Sequence, residues 1–268
     1  MTRLQIASVC PTPLEAISYW TTAPNETEPS EQQLPIYTGT IRGLPETVSA
    51  LVVASDLQGV VPAEDEDVLL GEVVVDYLEL LYALYFPGLA KERTLALLCG
   101  DLYTNKARRG ASGNPISVWN KFNAAFGRTI GIAGNHDDFG PAIHQVQALN
   151  KASFLTQGMV HQHGLAVAGI SGIIGRPDKN FRLPEAAYLR AVAALLQGQP
   201  DILLTHLSPA IAEKGLQGEE QLTAVLTKGD PTLVFCGHSH WPGTQPEILA
   251  NGTQVLNVDS KVFLFSQA

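Results

Sequence analysis

The sequence predicts an α/β fold, and two patterns support that prediction. From residue 50 onward, short apolar runs rich in β-branched residues alternate with longer segments in which apolar residues recur at helical spacing. The apolar runs are nearly continuous, which is typical of central strands that are buried on both faces. With 268 residues, of which 45% are hydrophobic, the chain is long enough to build one large domain around a substantial core.

The individual elements follow from the same patterns. The predicted helices are 68–86, 116–126 and 185–196, and Pro184 precedes the last of them, close to the first turn, where helices tolerate proline. Residues 21–35 are polar and contain three prolines, which predicts a flexible or extended connection. The last two strands are expected to form a hairpin or strand pair. The predicted strands are 4–9, 50–54, 94–99, 128–133, 165–170, 201–205, 232–236, 255–258 and 262–265.

Composition excludes several classes of protein. Three cysteines are too few for a disulfide scaffold and fit a reducing compartment. The N-terminal apolar stretch is interrupted by Pro11 and Pro13, so it lacks the core of a signal peptide. The most apolar segment, 68–90, carries three carboxylates, which disfavours a membrane helix. We therefore expect a cytoplasmic protein without a membrane partner, and the net charge of −9 disfavours nucleic acid as a partner.

Five predicted strands end in polar residues of a restricted kind. Because sites in open α/β sheets form beyond the carboxyl ends of the strands, we expect these side chains to lie close together. Carboxylate, amide and imidazole groups together suit divalent Mn, Fe or Zn, and their number allows two ions about 3.5–4 Å apart. The residues at these strand ends are Asp56, Gln58, Asp101, Asn135, His136, Asp137, His206, His238 and His240.

These motifs resemble those of the calcineurin-like metallophosphoesterase superfamily, whose pattern is Asp-x-His, Gly-Asp, Gly-Asn-His-Asp/Glu, a lone His and Gly-His-x-His. The corresponding residues here are Asp56-x-Gln58, Gly100-Asp101, 134–137, His206 and 237–240, in that order. The resemblance implies an α/β fold of two stacked mixed β-sheets flanked by helices, a four-layer α/β/β/α sandwich over residues 50–268. Residues 1–49 are then an N-terminal extension that adds edge strands, a lid or a dimer contact.

The resemblance also implies a site for two divalent ions, and the mixture of oxygen and nitrogen ligands by itself favours Mn, then Fe, then Zn. Asp101 would bridge both ions. One position would be completed by three side chains from later strand ends, namely Asn135, His206 and His238. The other position would be held by Asp56 and His240, with Gln58 where the family has a histidine.

The implied activity is hydrolysis of phosphoric ester bonds, as in phosphatases and phosphodiesterases, by a metal-activated hydroxide that attacks phosphorus. His136 would stabilise the transition state or protonate the leaving oxygen. Asp137 would orient His136, as carboxylates beside histidines commonly do.

Gln58 is the main departure from the family pattern. Its amide is a weaker ligand than imidazole for the later transition metals, and amide oxygens suit harder ions. Gln58 is therefore either a weak ligand or a filler of space, and we expect one tight and one weak or empty metal position. Two alternatives to the hydrolase remain open: a catalytically reduced binding or scaffold member of the same fold, and a nuclease, which the acidic net charge disfavours.

Basic residues shortly after Asp101 are candidates for substrate contacts. Arg108 and Arg109, with Lys106 nearby, could recognise a phosphate, because guanidinium groups match its oxygens in a forked geometry. The alternative is a solvated loop that ends at Gly110. The expected partner is a small phosphorylated substrate.

Overall fold

The structure is a computed structural model, and it describes residues 3–22, 27–64, 66–106, 108 and 110–268. The α-helices are α1 (Leu70–Tyr85), α2 (Ile116–Ala125), α3 (Ile143–Gln147), α4 (Glu185–Gln197) and α5 (Glu220–Lys228). The strands are β1 (Gln5–Val9), β2 (Glu15–Thr21), β3 (Ser30–Arg42), β4 (Ala50–Ser55), β5 (Val60–Val61), β6 (Val68–Leu69), β7 (Thr94–Leu98), β8 (Arg128–Gly131), β9 (Ala152–Phe154), β10 (Gln157–Gln162), β11 (Leu165–Ile170), β12 (Ile173–Ile174), β13 (Arg182–Leu183), β14 (Ile202–Thr205), β15 (Leu233–Cys236), β16 (Glu247–Ile248), β17 (Gln254–Asn257) and β18 (Lys261–Gln267).

The strands form two large mixed sheets. The first has the order β6-β5-β2-β3-β18-β4-β7-β8-β9, and β1 also pairs with β3. The second has the order β10-β11-β14-β15-β17-β16, and β12 pairs separately with β13. In the first sheet β4, β7, β8 and β9 run parallel, and in the second β11, β14, β15 and β17 do. Parallel strands direct their carboxyl ends to one edge of each sheet, where the polar motifs lie.

Three apolar clusters separate four layers, as the fold prediction requires. Leu51 and Val53 of β4 face the second sheet, whereas Val52 and Ala54 face α1 and α2. This alternation follows from the period of two along a strand. On the other side of the second sheet, a further cluster joins its outer face to α4 and α5. The α/β/β/α sandwich predicted from the family resemblance is therefore confirmed.

The predicted pairing of the last two strands is wrong. β17 pairs with β15 and β16 in the second sheet, whereas β18 pairs with β3 and β4 in the first. The short connection carries the chain from one sheet to the other, and Ser260 adopts a left-handed backbone with φ 51° in it. A hairpin was expected because the two runs lie close in sequence. Instead each strand pairs within a different sheet, and both bury side chains in the apolar layer between the sheets.

The N-terminal extension contributes strands to the first sheet. β3 is 13 residues long, so it pairs with β2 along its first half and with β1 along its second. Its opposite edge pairs with β18, which makes β3 an inner strand. Part of the polar segment 21–35, which was predicted to be a flexible or extended connection, is thus a regular strand, because alternate residues such as Leu34 are buried. Residues 23–26 of this segment lie outside the described residues. No described helix is both long and apolar enough to cross a membrane.

Candidate metal centre

Three candidate ligands from both sheets meet where the strands end. Asp101 lies beyond β7 of the first sheet, and His206 and His238 lie beyond β14 and β15 of the second. Their candidate ligand atoms lie within 4.8 Å of one another. Asp101 and His206 are only 2% and 0% exposed, whereas His238 opens to solvent. The cluster is therefore enclosed by the two sheets and accessible from one side.

The ring of His206 is held in one orientation by the backbone. Its Nδ1 lies 2.9 Å from the carbonyl oxygen of Cys99 and donates its proton there, since a carbonyl can only accept. Its Nε2 lies 3.2 Å from Oδ2 of Asp101, but the two atoms are not aligned as a hydrogen bond. Once Nε2 is deprotonated, its lone pair points into the cluster, which is the arrangement that metal-binding histidines adopt.

Unpartnered buried atoms gather at the same place. Within the described part of the chain, Oδ1 of Asn135, Nδ1 of His136 and Nε2 of His206 are buried without a hydrogen-bond partner. Buried polar atoms are nearly always paired, so such a concentration needs an explanation. A divalent cation would satisfy the Asn135 and His206 atoms, and the mixed oxygen and nitrogen donors suit Mn, Fe or Zn. The residues present therefore fit a metal ion.

Asp56 is tied to the same cluster through its carboxylate. Its Oδ2 accepts hydrogen bonds from the Ser55 hydroxyl at 2.6 Å and from the backbone N–H of His238 at 3.0 Å. Burial and the negative charge of Asp259 raise the pKa of Asp56 well above its usual range. A bound cation would relieve this cost of holding the carboxylate ionised.

Three of the candidate ligands have strained backbones. Asp56, Asp101 and His238 have φ values of 53°, 53° and 68°, in the left-handed region that residues with a side chain seldom adopt. Such strain costs about 1–3 kcal/mol for each residue and is found most often at functional sites. Here the conformation turns each side chain out of its strand direction and towards the cluster.

Two glycines allow the motif loops to approach one another closely. A Cβ on Gly134 would lie 2.0 Å from Oδ1 of Asp101, and a Cβ on Gly237 would lie 2.2 Å from Oδ2 of Asp56. Both distances are far too short for any side chain. The glycines in the predicted motifs are therefore required by contact with the carboxylates.

Asp137 contacts the backbone instead of the His136 ring. Its two oxygens accept hydrogen bonds from the N–H groups of Asp101, Leu102 and Gly134, at 2.8–2.9 Å. The carboxylate is fully buried. The expected contact from Asp137 to the ring of His136 is absent among the described residues, because its oxygens are occupied by the two loops that they join.

His136 is positioned through its main chain. Its N–H donates to Oδ1 of Asp101 at 2.8 Å, and its carbonyl accepts from Gly113 at 3.1 Å. The ring is half-buried beside the loop at Gly110. The residue is thus fixed next to Asp101 while its Nδ1 stays unpaired.

Asp101 and His206 shift one another's ionisation. Burial is the largest influence on the pKa of Asp101 and would raise it, but the interactions with His206 and His136 together lower that pKa. Burial is also the largest influence on the pKa of His206 and would lower it, but the interactions with Asp101, Asp56 and the Cys99 carbonyl together raise that pKa to about 10. A metal ion must displace the His206 proton to bind, so binding releases a proton.

The remaining predicted residues are less closely joined to the cluster. Gln58 is half-buried, and its side chain makes no hydrogen bond within the described residues. The side chain of His240 is 66% exposed and contacts Asp259. Arg108 is exposed on the loop after Asp101, and Arg109 lies outside the described residues.

Asp259 and Ser55 are site residues that the sequence reasoning missed. Asp259 follows β17, so the same strand-end argument that found the other ligands applied to it. The predicted hairpin concealed it, because a hairpin turn would have placed residue 259 away from the other strand ends. Ser55 had no comparable indication in the sequence, because serine is common in turns whether or not a site lies there.

Comparison with known proteins agrees with this geometry. A family model described as calcineurin-like phosphoesterase matches residues 50–242, from the first residue of β4 to just beyond His240. A search of curated proteins gives no match. Among solved structures, a hypothetical protein from Thermus thermophilus aligns with a TM-score of 0.47 and 16% identity, covering 78% of this chain and 75% of its own. A protein of unknown function from Aquifex aeolicus aligns with a TM-score of 0.35 and 15% identity, covering 80% of this chain and 95% of its own.

Proposed function

The chain belongs to the calcineurin-like phosphoesterase family, and on that premise we propose that it is a metal-dependent hydrolase of phosphoester bonds. The observation that carries the proposal is the cluster of Asp101, His206 and His238, whose candidate ligand atoms lie within 4.8 Å of one another. The unpaired buried atoms of Asn135 and His136 beside it support the same function. A purely structural polar cluster would have these atoms paired.

Two metal ions would share the Asp101 carboxylate in this proposal. Asp101 would hold the tighter one together with the side chains that follow β8, β14 and β15, namely Asn135, His206 and His238. Asp101, Asp56 and His240 would hold the weaker one, with Gln58 in place of the family's histidine. When bound, divalent ions neutralise phosphate charge and lower the pKa of coordinated water to about 7, which makes hydroxide available. We favour Mn, then Fe and Zn, because the donors are mixed oxygen and nitrogen.

His136 handles the proton of the leaving group. Its main chain is fixed by the hydrogen bond to Asp101, so the ring stays beside the cluster. Its Nδ1 has no partner in the described chain and can hold a proton for the departing oxygen. Asp137 supports this arrangement indirectly, because it fastens the loops that carry Asp101 and Gly134.

The substrate that we propose is a small phosphorylated molecule in the cytoplasm. Arg108 is exposed on the loop that also contacts the backbone of His136, whereas the Lys106 ammonium pairs with Asp67. Arg108 can therefore receive an anionic group of the substrate. The net charge of −9 supports a small substrate over nucleic acid.

Hydrolysis of p-nitrophenyl phosphate and bis(p-nitrophenyl) phosphate, with and without Mn²⁺, tests the proposal. We expect Mn²⁺-dependent release of nitrophenol from at least one ester. His136→Ala should lower kcat by about 10²–10⁴-fold, the usual contribution of general acid catalysis. The matched control is His144→Ala, an exposed histidine on α3, which should leave the rate unchanged. Absence of hydrolysis of both esters, or full activity in His136→Ala, would overturn the proposal.

The half-buried Gln58 favours one alternative, a member of the fold that binds phosphoesters without turning them over. In that case calorimetry would detect Mn²⁺-dependent binding of inorganic phosphate while both esters remain intact. Incubation with single- and double-stranded DNA at low salt covers the nuclease alternative, and we expect both to stay uncut.

A further inference from the structure

Asp259 lies beside the weaker metal position. It follows β17 at the crossing between the two sheets, and it is 8% exposed. Its Oδ2 lies 2.8 Å from Nδ1 of His240. Because a carboxylate accepts from a ring N–H, this contact favours the His240 tautomer with hydrogen on Nδ1.

The position of Asp259 is built by several contacts. Its backbone forms an isolated bridge with Ser55, the residue before Asp56. Its N–H donates to Oδ1 of Asn257 at 3.1 Å, and the amide of Asn257 donates to the carbonyl of Ser239 at 2.8 Å. The carboxylate is thus held in register both with Asp56 and with the loop that carries His240.

Lys261 does not neutralise this carboxylate directly. Its ammonium is buried and donates to the carbonyl oxygens of Trp241 and Asp259, at 2.8 and 3.3 Å. The charge of Asp259 acts both on Lys261 and on Asp56, and together with burial, the larger cause, it raises the pKa of Asp56. Asp56, Asp101 and Asp259 are three buried carboxylates in this part of the molecule. The Lys261 ammonium and the His206 ring offset part of their mutual repulsion, and a bound divalent ion would offset more of it.

We propose that Asp259 is a positioning residue of the weaker metal position, and that it compensates there for the imidazole replaced by Gln58. It fixes His240 through Nδ1, which leaves Nε2 for a divalent ion and makes that nitrogen a stronger donor. It also adds negative charge beside Asp56. This inference rests on the proposed metal site, and it adds a residue that the family motifs do not contain.

The test measures metal binding and needs no turnover. The purified chain, its Asp259→Ala variant and the double variant Gln58→His with Asp259→Ala are titrated with Mn²⁺ by calorimetry, and ions are counted by native mass spectrometry. We expect two ions in the parent. Asp259→Ala should weaken one of them by about 10–100-fold, the usual effect of losing such a supporting carboxylate, and leave the other unchanged. The double variant should recover the second ion, because the imidazole at position 58 replaces the missing support.

Controls separate metal binding from folding. Asp230→Ala removes an exposed carboxylate that accepts one side-chain hydrogen bond from Gln199, and it should bind both ions as the parent does. Thermal unfolding in EDTA shows whether Asp259→Ala is folded. If it is not, Asp259→Asn replaces it, with the same expected loss at one position, because the amide removes the charge.

Three results would overturn the inference: a parent that binds one ion, an Asp259→Ala protein with both ions at parental affinity, or equal weakening of both ions. The hydrolase proposal fails independently of these results. Two bound ions, of which one alone depends on Asp259, in a protein that cleaves neither nitrophenyl ester would support the inference and refute the activity. Mn²⁺-dependent cleavage by a protein with one ion would do the reverse.

Discussion

Asp137 lies inside the most specific motif of the chain, yet its carboxylate contacts the backbone alone. Asp137 accepts hydrogen bonds from three N–H groups in the loops after β7 and β8, and one of these is the N–H of Asp101. Asp101 has a left-handed backbone, so it needs such restraint to keep its φ of 53°. Burial and the charge of Asp101 raise the pKa of Asp137 to about 6, and the backbone N–H groups partly offset this. The raised pKa shows that burying the ionised Asp137 carboxylate is unfavourable. We infer from this that its three hydrogen bonds are needed to hold the two loops.

Asp137→Asn tests this structural role. The amide can keep one acceptor oxygen but turns an NH₂ group towards at least one backbone N–H. We expect a loss of about 2–3 kcal/mol in the free energy of unfolding, because one buried backbone N–H is left without an acceptor. The remaining hydrogen bonds also weaken, because a neutral amide oxygen is a weaker acceptor than a carboxylate. Urea unfolding without metal measures it.

The neighbouring carboxylate supplies the control for that experiment. Asp138 accepts a single exposed hydrogen bond, from the N–H of Gly140 at 3.1 Å. Asp138→Asn should therefore cost about 0.5 kcal/mol or less, as surface substitutions usually do. If Asp137→Asn is no more costly than Asp138→Asn, the hydrogen bonds of Asp137 do not hold the loops.

At the scale of elements, the end of each strand decides where a side chain goes. The loops after β7 and β8 touch at Gly134, where an added Cβ would meet Oδ1 of Asp101 at 2.0 Å and its backbone nitrogen at 2.5 Å. Parallel pairing of β7 with β8 brings these loops together, and the glycine lets them close. The position of Asp101 therefore depends on a residue 33 positions away in sequence, in the loop that follows the neighbouring strand.

Gly134→Ala should displace Asp101 and weaken Mn²⁺ binding more than it weakens the fold. The methyl group would clash with the Asp101 carboxylate and with its backbone. The carboxylate cannot move without weakening the hydrogen bond from the His136 N–H, and the backbone cannot move without weakening the one from the Asp101 N–H to Asp137. We expect at least a tenfold loss of Mn²⁺ affinity by calorimetry. Gly158→Ala in β10 is the control, because its Cβ would meet no atom within 4 Å. Parental Mn²⁺ affinity in Gly134→Ala would contradict the argument.

The elements were predictable where local pattern and burial agree. The runs at 94–99 and 165–170 became β7 and β11 within one residue, because continuous apolar runs in this chain are buried on both faces. Such apolar runs do not indicate which strands pair, so the prediction wrongly paired β17 with β18. Asp259 was missed for the same reason, since its neighbours depend on which sheet receives each strand. The ligand cluster was predicted because strand ends in parallel sheets converge whatever the strand order.

At the scale of the whole molecule, the proposed tight metal position combines residues from both sheets. Asp101 and Asn135 follow strands of the first sheet, whereas His206 and His238 follow strands of the second. The carbonyl of Cys99 in the first sheet also accepts from the ring of His206. An ion bound by these groups would therefore stabilise the packing of one sheet on the other, and separation of the sheets would require its release.

Mn²⁺ should for this reason raise the unfolding temperature of the whole chain. At a concentration 100 times the dissociation constant, binding to the native state alone stabilises it by about 2.7 kcal/mol, or about 5–10 °C for a chain of this size. Differential scanning fluorimetry in EDTA and in Mn²⁺ measures the gain. His206→Ala should lower the unfolding temperature even without metal, because the ring is fully buried. The comparison therefore uses the rise in unfolding temperature that Mn²⁺ causes, and in His206→Ala this rise should fall close to zero. His144→Ala should keep the parental gain. A parent that unfolds at the same temperature with and without Mn²⁺ would show that these residues do not hold the two sheets together through a metal.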